Sequence, residues 1–213
     1  SNLYFWIRDI YGNQLTTSDS MLYKSVPFTV NAIPPNPSSM KNILFCGDSL
    51  MSTGLITQKF IQKMTGYGLT NLKLVGRRFH TTVENRFEGL GGWAWRNYVD
   101  DPATLPSGYP DNYFWDSSIG DINITKYMQT YASGDNLDYI VCELGMNHLV
   151  NSTNQGSDLT VVSTKVKHFI DRVHEDYPNA KVLLVGVHRF SDMYKYNQKK
   201  NRDFSFDLYN IYD

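Results

Sequence analysis

Cysteine is almost missing from this chain. Its 213 residues hold two, Cys46 and Cys142, which excludes a disulfide framework. Each lies inside an apolar, strand-like run, so both are expected as buried reduced thiols. No Cys/His spacing resembles a zinc site, and no metal is expected. An excess of charge of one sign is missing too: 20 basic against 21 acidic side chains leave a net charge of −1. That balance argues against a bulk electrostatic role on nucleic acid or an anionic membrane. The basic run Lys195, Lys199, Lys200 and Arg202 reads as a solvated loop. No apolar run approaches the ~18 residues that span a bilayer. The sequence opens at Ser1 with no signal-peptide pattern, so its start does not reveal a compartment.

What is present fits a globular chain. Apolar residues make up 41% and charged residues 19%, outside the range of disordered sequences. The length is about 1.4 times that of a typical domain, which suggests one domain plus an appendage. Aromatic content is high at 14%, with 15 Tyr and 4 Trp. Such residues fill cores, and they also stack on sugars.

The N-terminal stretch reads as strand, turn, strand: Leu3–Ile7, a turn at Tyr11-Gly12-Asn13, then Ser25–Val30. Pro34, Pro35 and Pro37 follow in an extended linker. Residues 1–38 are therefore expected to be a β segment with a Pro-rich linker, a possible remnant of an accessory β-domain, and residues 39–213 the main domain. Within it, Asn42–Cys46, Leu72–Gly76, Asp138–Cys142 and Lys181–Val187 are strand candidates. Helical spacing runs from Leu55 to Gly66 and from Leu159 to Tyr177. Continuous apolar strands separated by helices predict a parallel sheet covered on both faces. Such sheets carry their sites at the carboxyl ends of the strands.

Three segments stand at those ends. Gly47-Asp48-Ser49-Leu50 follows the first strand. Ser49 there is either a nucleophile beside free backbone N–H groups or an N-cap. Glu88-Gly89-Leu90-Gly91-Gly92-Trp93 follows the second, either as backbone that approaches a ligand or as a tight turn. It lacks the full dinucleotide pattern, and no cofactor is expected. Glu143-Leu144-Gly145-Met146-Asn147-His148 follows the third. Asn147 is either an amide donor to an oxyanion or a turn residue.

Taken together, from about Lys41 to Val187, these three blocks in this order resemble the SGNH, or GDSL, hydrolase family. Glu88–Trp93 is similar to the form found in its carbohydrate-esterase-like branches. The resemblance implies a three-layer α/β/α, flavodoxin-like α/β fold with strand order 2-1-3-4-5. It implies ester hydrolysis through an acyl-enzyme, without metal or cofactor. Ser49 matches the nucleophile, and the oxyanion hole would comprise the N–H groups of Ser49 and Gly92 with the side-chain amide of Asn147. Gly91 is the competing glycine, and the position of Trp93 favours Gly92. His148 stands where members often have Asp.

The family's last block, Asp-x-x-His, has one match here, Asp171-Arg172-Val173-His174. Its helical spacing places both ends off the buried stripe of Val166, Phe169, Ile170 and Val173, so it is expected to be a decoy. His80 and His188 follow strands, and His148 adjoins Asn147, but none matches the family's base; His168 reads as a helix-surface residue. The expectation is of a domain that stops before its last strand and its Asp-x-x-His pair. Residues 96–137 read as an insertion whose aromatics form either a sugar-stacking wall or satellite core. The leading expectation is deacetylation of a glycan, with an acylated glycan or other small ester as partner. By family analogy it favours an extracellular, periplasmic or virion-associated setting. The rival readings are a non-catalytic glycan-binding or structural module, on a secreted enzyme or a phage tail, and a lipase or thioesterase of the same family.

Overall fold

The computed structural model describes residues 35–108, 112–145, 147 and 155–185. The chain divides into two compact units, Ser1–Pro34 and Pro35–Asp213, and every described residue belongs to the second. The N-terminal strand candidates, His148, His188 and the 195–202 basic run all lie outside the described residues.

The described elements run β1 (Lys41–Gly47), α1 (Ser49–Ser52), α2 (Leu55–Gly66), β2 (Leu72–Val75), β3 (Arg78–His80), β4 (Thr82–Gly89), α3 (Arg96–Val99), β5 (Trp115–Asp116), β6 (Asp121–Ile122), α4 (Ile124–Tyr131), β7 (Tyr139–Glu143), α5 (Gln155–Asp176) and β8 (Lys181–Val185). β1 is the hub of a mostly parallel sheet. One edge pairs with β7, which pairs in turn with β8; the other pairs with β2 along Lys41–Leu44 and with the end of β4 at Cys46 and Gly47. The order β2-β1-β7-β8 is the first four strands of the expected 2-1-3-4-5. A departure lies beside it: β3 and β4 form an antiparallel hairpin, so the glycine segment follows β4 and not β2, and Glu88 and Gly89 are strand residues.

The period-two alternation of a strand feeds two cores. Ile43 and Phe45 of β1 pack with Met51, Leu74 and Phe87, and Phe60 and Ile61 of α2 cover them. Leu44 and Cys46 face the opposite way, into a larger core with Ile140 and Cys142 of β7 and Val162, Val166, Phe169 and Val173 of α5. Helices on both faces of one sheet make a three-layer α/β/α arrangement. Cys46 and Cys142 are free, buried and directly paired across β1 and β7, and burial pushes the Cys46 thiol well up.

The aromatics of residues 96–137 belong mainly to this second core. Tyr98, Phe114 and Tyr127 are fully buried, and Tyr113, Trp115 and Tyr131 pack against the cluster. Phe114 stacks on Tyr127 with ring centroids 4.1 Å apart. The satellite-core reading therefore holds for these residues, and a wall of exposed rings does not. No described helix is long and apolar enough to cross a membrane.

Candidate active site

The carboxyl ends of β1, β4 and β7 lie side by side, because Gly47 is in register with both Gly89 and Glu143. Each expected block leaves the sheet from one of these ends.

Gly47 ends β1 under the first turn of α1. A Cβ there would stand 2.5 Å from Met51 Cβ and 3.1 Å from the Glu143 carbonyl oxygen. Only glycine lets α1 sit this close to the sheet. Asp48, fully buried, caps α1 by accepting a hydrogen bond from the Leu50 N–H at 3.0 Å. The cap is thus the residue before Ser49, and the N-cap alternative for Ser49 is set aside. Ser49 is exposed at the first helical position. Its carbonyl accepts from the Ser52 hydroxyl at 2.8 Å.

Leu90, Gly91, Gly92 and Trp93 form a turn closed by the Trp93 N–H donating to the Leu90 carbonyl at 3.2 Å. Gly92 takes φ +79° at its third position, which fits a type II turn and favours glycine. Gly91 has open space around its Cβ position, so the conformational demand falls on Gly92. Trp93 is fully buried, edge-on to Tyr98 at 4.9 Å.

Asn147 joins the other two blocks. Its side-chain N–H donates to the Trp93 carbonyl at 2.6 Å and stands 3.5 Å from the Asp48 carboxylate. The neighbours of Ser49 and of Gly92 thus meet at one amide. Chemically, the cluster sets an exposed hydroxyl near a fixed amide donor and a glycine turn.

Three features at the site had no local signal in the sequence. The Tyr98 hydroxyl accepts from the Gly47 N–H at 2.9 Å and faces the carbonyls of Gly47 and Glu88 at 2.8 and 3.1 Å. Glu88, fully buried, is gripped by Arg77 through Nε at 3.2 Å and Nη2 at 2.9 Å, and by the Tyr127 hydroxyl at 2.8 Å. Burial first, and then the charge of Glu88, push the Tyr127 phenol well up, so it stays a donor. Glu143, 4% exposed, is pushed up to about 7, first by burial and then by the charge of Asp48.

The described histidines have other partners. His80 ends β3 and shares a 2.8 Å contact with the Thr81 hydroxyl. His168 lies 2.7 Å from Asp121. His174 and Asp171 lie on the exposed side of α5; Asp171 pairs with Lys167, and His174 reaches the Ala180 carbonyl at 3.3 Å. Among the described residues, no group of three or more His, Cys, Asp or Glu could hold a metal ion.

No protein-family model matches the chain, and no curated protein matches it in sequence. Solved structures do resemble it. An acetyl xylan esterase aligns at 15% identity over 80% of this chain and 71% of its own, with a TM-score of 0.49. A family 3 carbohydrate esterase from Clostridium thermocellum aligns at 16% over 81% and 74%, TM-score 0.49. A family 3 carbohydrate esterase from Talaromyces cellulolyticus aligns at 14% over 78% and 72%, TM-score 0.48.

Proposed function

We propose that this chain is a serine ester hydrolase that removes short acyl groups, acetyl first among them, from carbohydrate. The observation that carries the reading is the Asn147 amide held between Trp93 and Asp48, which draws the three expected blocks to one corner of the sheet. The Ser49 hydroxyl attacks the ester carbonyl. The oxyanion that forms accepts hydrogen bonds from the N–H groups of Ser49 and Gly92 and from the second N–H of the Asn147 amide, which gives up its long 3.5 Å contact with Asp48 while the first stays on Trp93. Collapse breaks the bond to the sugar oxygen, which takes up the proton given up by the Ser49 hydroxyl and leaves as the alcohol, and the acyl group stays on Ser49. Water then attacks the acyl-enzyme and frees the acid. The carbohydrate half of the proposal rests on the resemblance of Glu88–Trp93 to carbohydrate-esterase-like sequences.

A second reading has an observation of its own. Leu50, next to the hydroxyl, is 39% exposed, and Leu55 and Ile56 at the start of α2 are exposed too. An apolar rim of that kind favours a longer acyl chain. The test is turnover of p-nitrophenyl acetate, butyrate and octanoate and of acetylated glycans by the full-length protein. Ser49→Ala is expected to abolish turnover, and Asn147→Ala to lower kcat by ~10²–10³. Unchanged activity in Ser49→Ala would sink the nucleophile assignment. A rise in kcat/KM with acyl length would favour the second reading.

A further inference from the structure

Among the described residues, Tyr98 is the one side chain that bonds both polar groups of Gly47, two residues before Ser49. We infer that Tyr98 is a positioning residue for Ser49, its hydroxyl standing in for a missing rung between β1 and β4. The inference rests on the esterase reading above and adds to it a residue outside the three blocks.

The geometry is built from the ends of two strands. β1 and β4 are in register over only two residue pairs, Cys46 with Glu88 and Gly47 with Gly89. In a strand the N–H and C=O of one residue point to the same side. At Gly47 both meet one phenol: the N–H donates to the Tyr98 oxygen at 2.9 Å, and the carbonyl lies 2.8 Å from it. The same hydroxyl lies 3.1 Å from the Glu88 carbonyl. A phenol has one proton and two lone pairs, so it accepts from Gly47 while its proton is shared between two carbonyls. Tyr98 thereby links the last residues of β1 to the last residues of β4, from which Ser49 and Gly92 depart.

The phenol is held rigidly enough for this. Tyr98 is 0% exposed. Its ring meets Trp93 edge-on at 4.9 Å and lies 5.6 Å from Phe114. Asn97, beside it, accepts from the Ala94 N–H at 2.9 Å and fixes the entry to α3. Burial and the nearby charge of Glu88 push the phenol well up, so the hydroxyl keeps its proton across the working pH range. A small change at Gly47 passes directly to α1, because Met51 of α1 rests on the position where a Gly47 Cβ would stand. Misplacement of a reacting group by about 1 Å can cost ~10²-fold in rate.

The experiment is Tyr98→Phe, which removes one oxygen and keeps the ring. Two readouts are taken beside Ser49→Ala. In Tyr98→Phe, kcat for p-nitrophenyl acetate is expected to fall about 10–100-fold with KM within about twofold. The Gly47 amide is expected to exchange its hydrogen about fivefold faster or more, while amides of α5 keep their protection. Val166→Ala, a core change on α5, serves as control: it lowers stability and is expected to leave kcat intact.

Unchanged kcat in Tyr98→Phe, with Ser49→Ala inactive, overturns the positioning role and leaves the esterase reading standing. Equal loss of kcat in Tyr98→Phe and Val166→Ala also overturns it, since global stability would then explain the effect. Unchanged exchange at Gly47 removes its structural basis whatever the activity. Wild-type activity in Ser49→Ala, or no ester turnover at all, overturns the esterase reading and the positioning role with it.

Discussion

Removing Arg77 should cost this fold more than removing any surface charge. Glu88 is fully buried, and its carboxylate accepts three hydrogen bonds: two from the Arg77 guanidinium, at 3.2 and 2.9 Å, and one from Tyr127 at 2.8 Å. The guanidinium also lies flat over the Tyr113 ring, 3.6 Å from its centre. Arg77→Met keeps much of the side-chain length and takes away two of the three hydrogen bonds. Stripping one partner from a buried pair typically costs about 3–5 kcal/mol. The Tyr127 donor remains, so the low end applies, about 3 kcal/mol. With a urea m-value of about 2 kcal/mol/M, the unfolding midpoint should drop by about 1.5 M. The double variant Arg77→Met with Glu88→Leu removes both charges and fills the space with apolar groups. It should recover most of that loss, giving a coupling energy of about 2–3 kcal/mol in a double-mutant cycle. Urea unfolding followed by tryptophan fluorescence measures all four corners. A loss below about 1 kcal/mol for Arg77→Met, or strict additivity in the double variant, would refute the reasoning.

Two further outcomes follow from other groups. Glu143 stays neutral in the folded chain up to about 7, against an ordinary value of 4.5. Below 4.5 it is protonated in both states; as pH rises from 4.5 to about 7 only the unfolded chain ionises, so stability falls across that window and not above it. At about 1.4 kcal/mol per unit the loss reaches about 3 kcal/mol. Glu143→Gln should flatten this slope; unfolding curves that stay parallel for the two proteins between pH 4.5 and 8 would refute the shift. His174→Ala should leave kcat within about twofold and stability within about 0.5 kcal/mol, because the side chain is exposed on α5; an inactive variant would make it the general base.

The elements that could be read from the sequence are those with one dominant cause. β1, β2, β7 and β8 follow the apolar runs expected, within a residue or two. In β1 both faces are buried, so Ile43, Leu44, Phe45 and Cys46 form an unbroken apolar run. The α2 helix matches its 3–4 spacing at both ends. The β3–β4 hairpin carries no such pattern: its outer half is exposed and mixes Phe79 and Val83 with polar residues, and its turn carries Thr81 at φ +64° where a glycine or asparagine would signal it. The α4 helix did have a signal: Asn123 accepts from the Lys126 N–H at 2.8 Å, and Ile124, Tyr127 and Met128 form a buried stripe.

The candidate site divides along the same line. The places of Ser49, Gly92 and Asn147 could be read because each lies in a short segment that follows a strand. Tyr98, Arg77 and Tyr127 could not, because their partners lie 51, 11 and 39 positions away in the chain. Local spacing holds no record of such pairs. They arise only once the sheet has brought Gly47 and Glu88 together, and a tyrosine that bonds a backbone looks, in sequence, like one that fills a core. Burial does not separate the two roles either, since Tyr98 and Phe114 are both almost fully buried. The hydroxyl does: a phenol this deep has to find partners, and here it finds them on the residue that leads into Ser49. Among the described tyrosines, two bear on this corner of the sheet through buried hydroxyls, Tyr98 at the end of β1 and Tyr127 on Glu88.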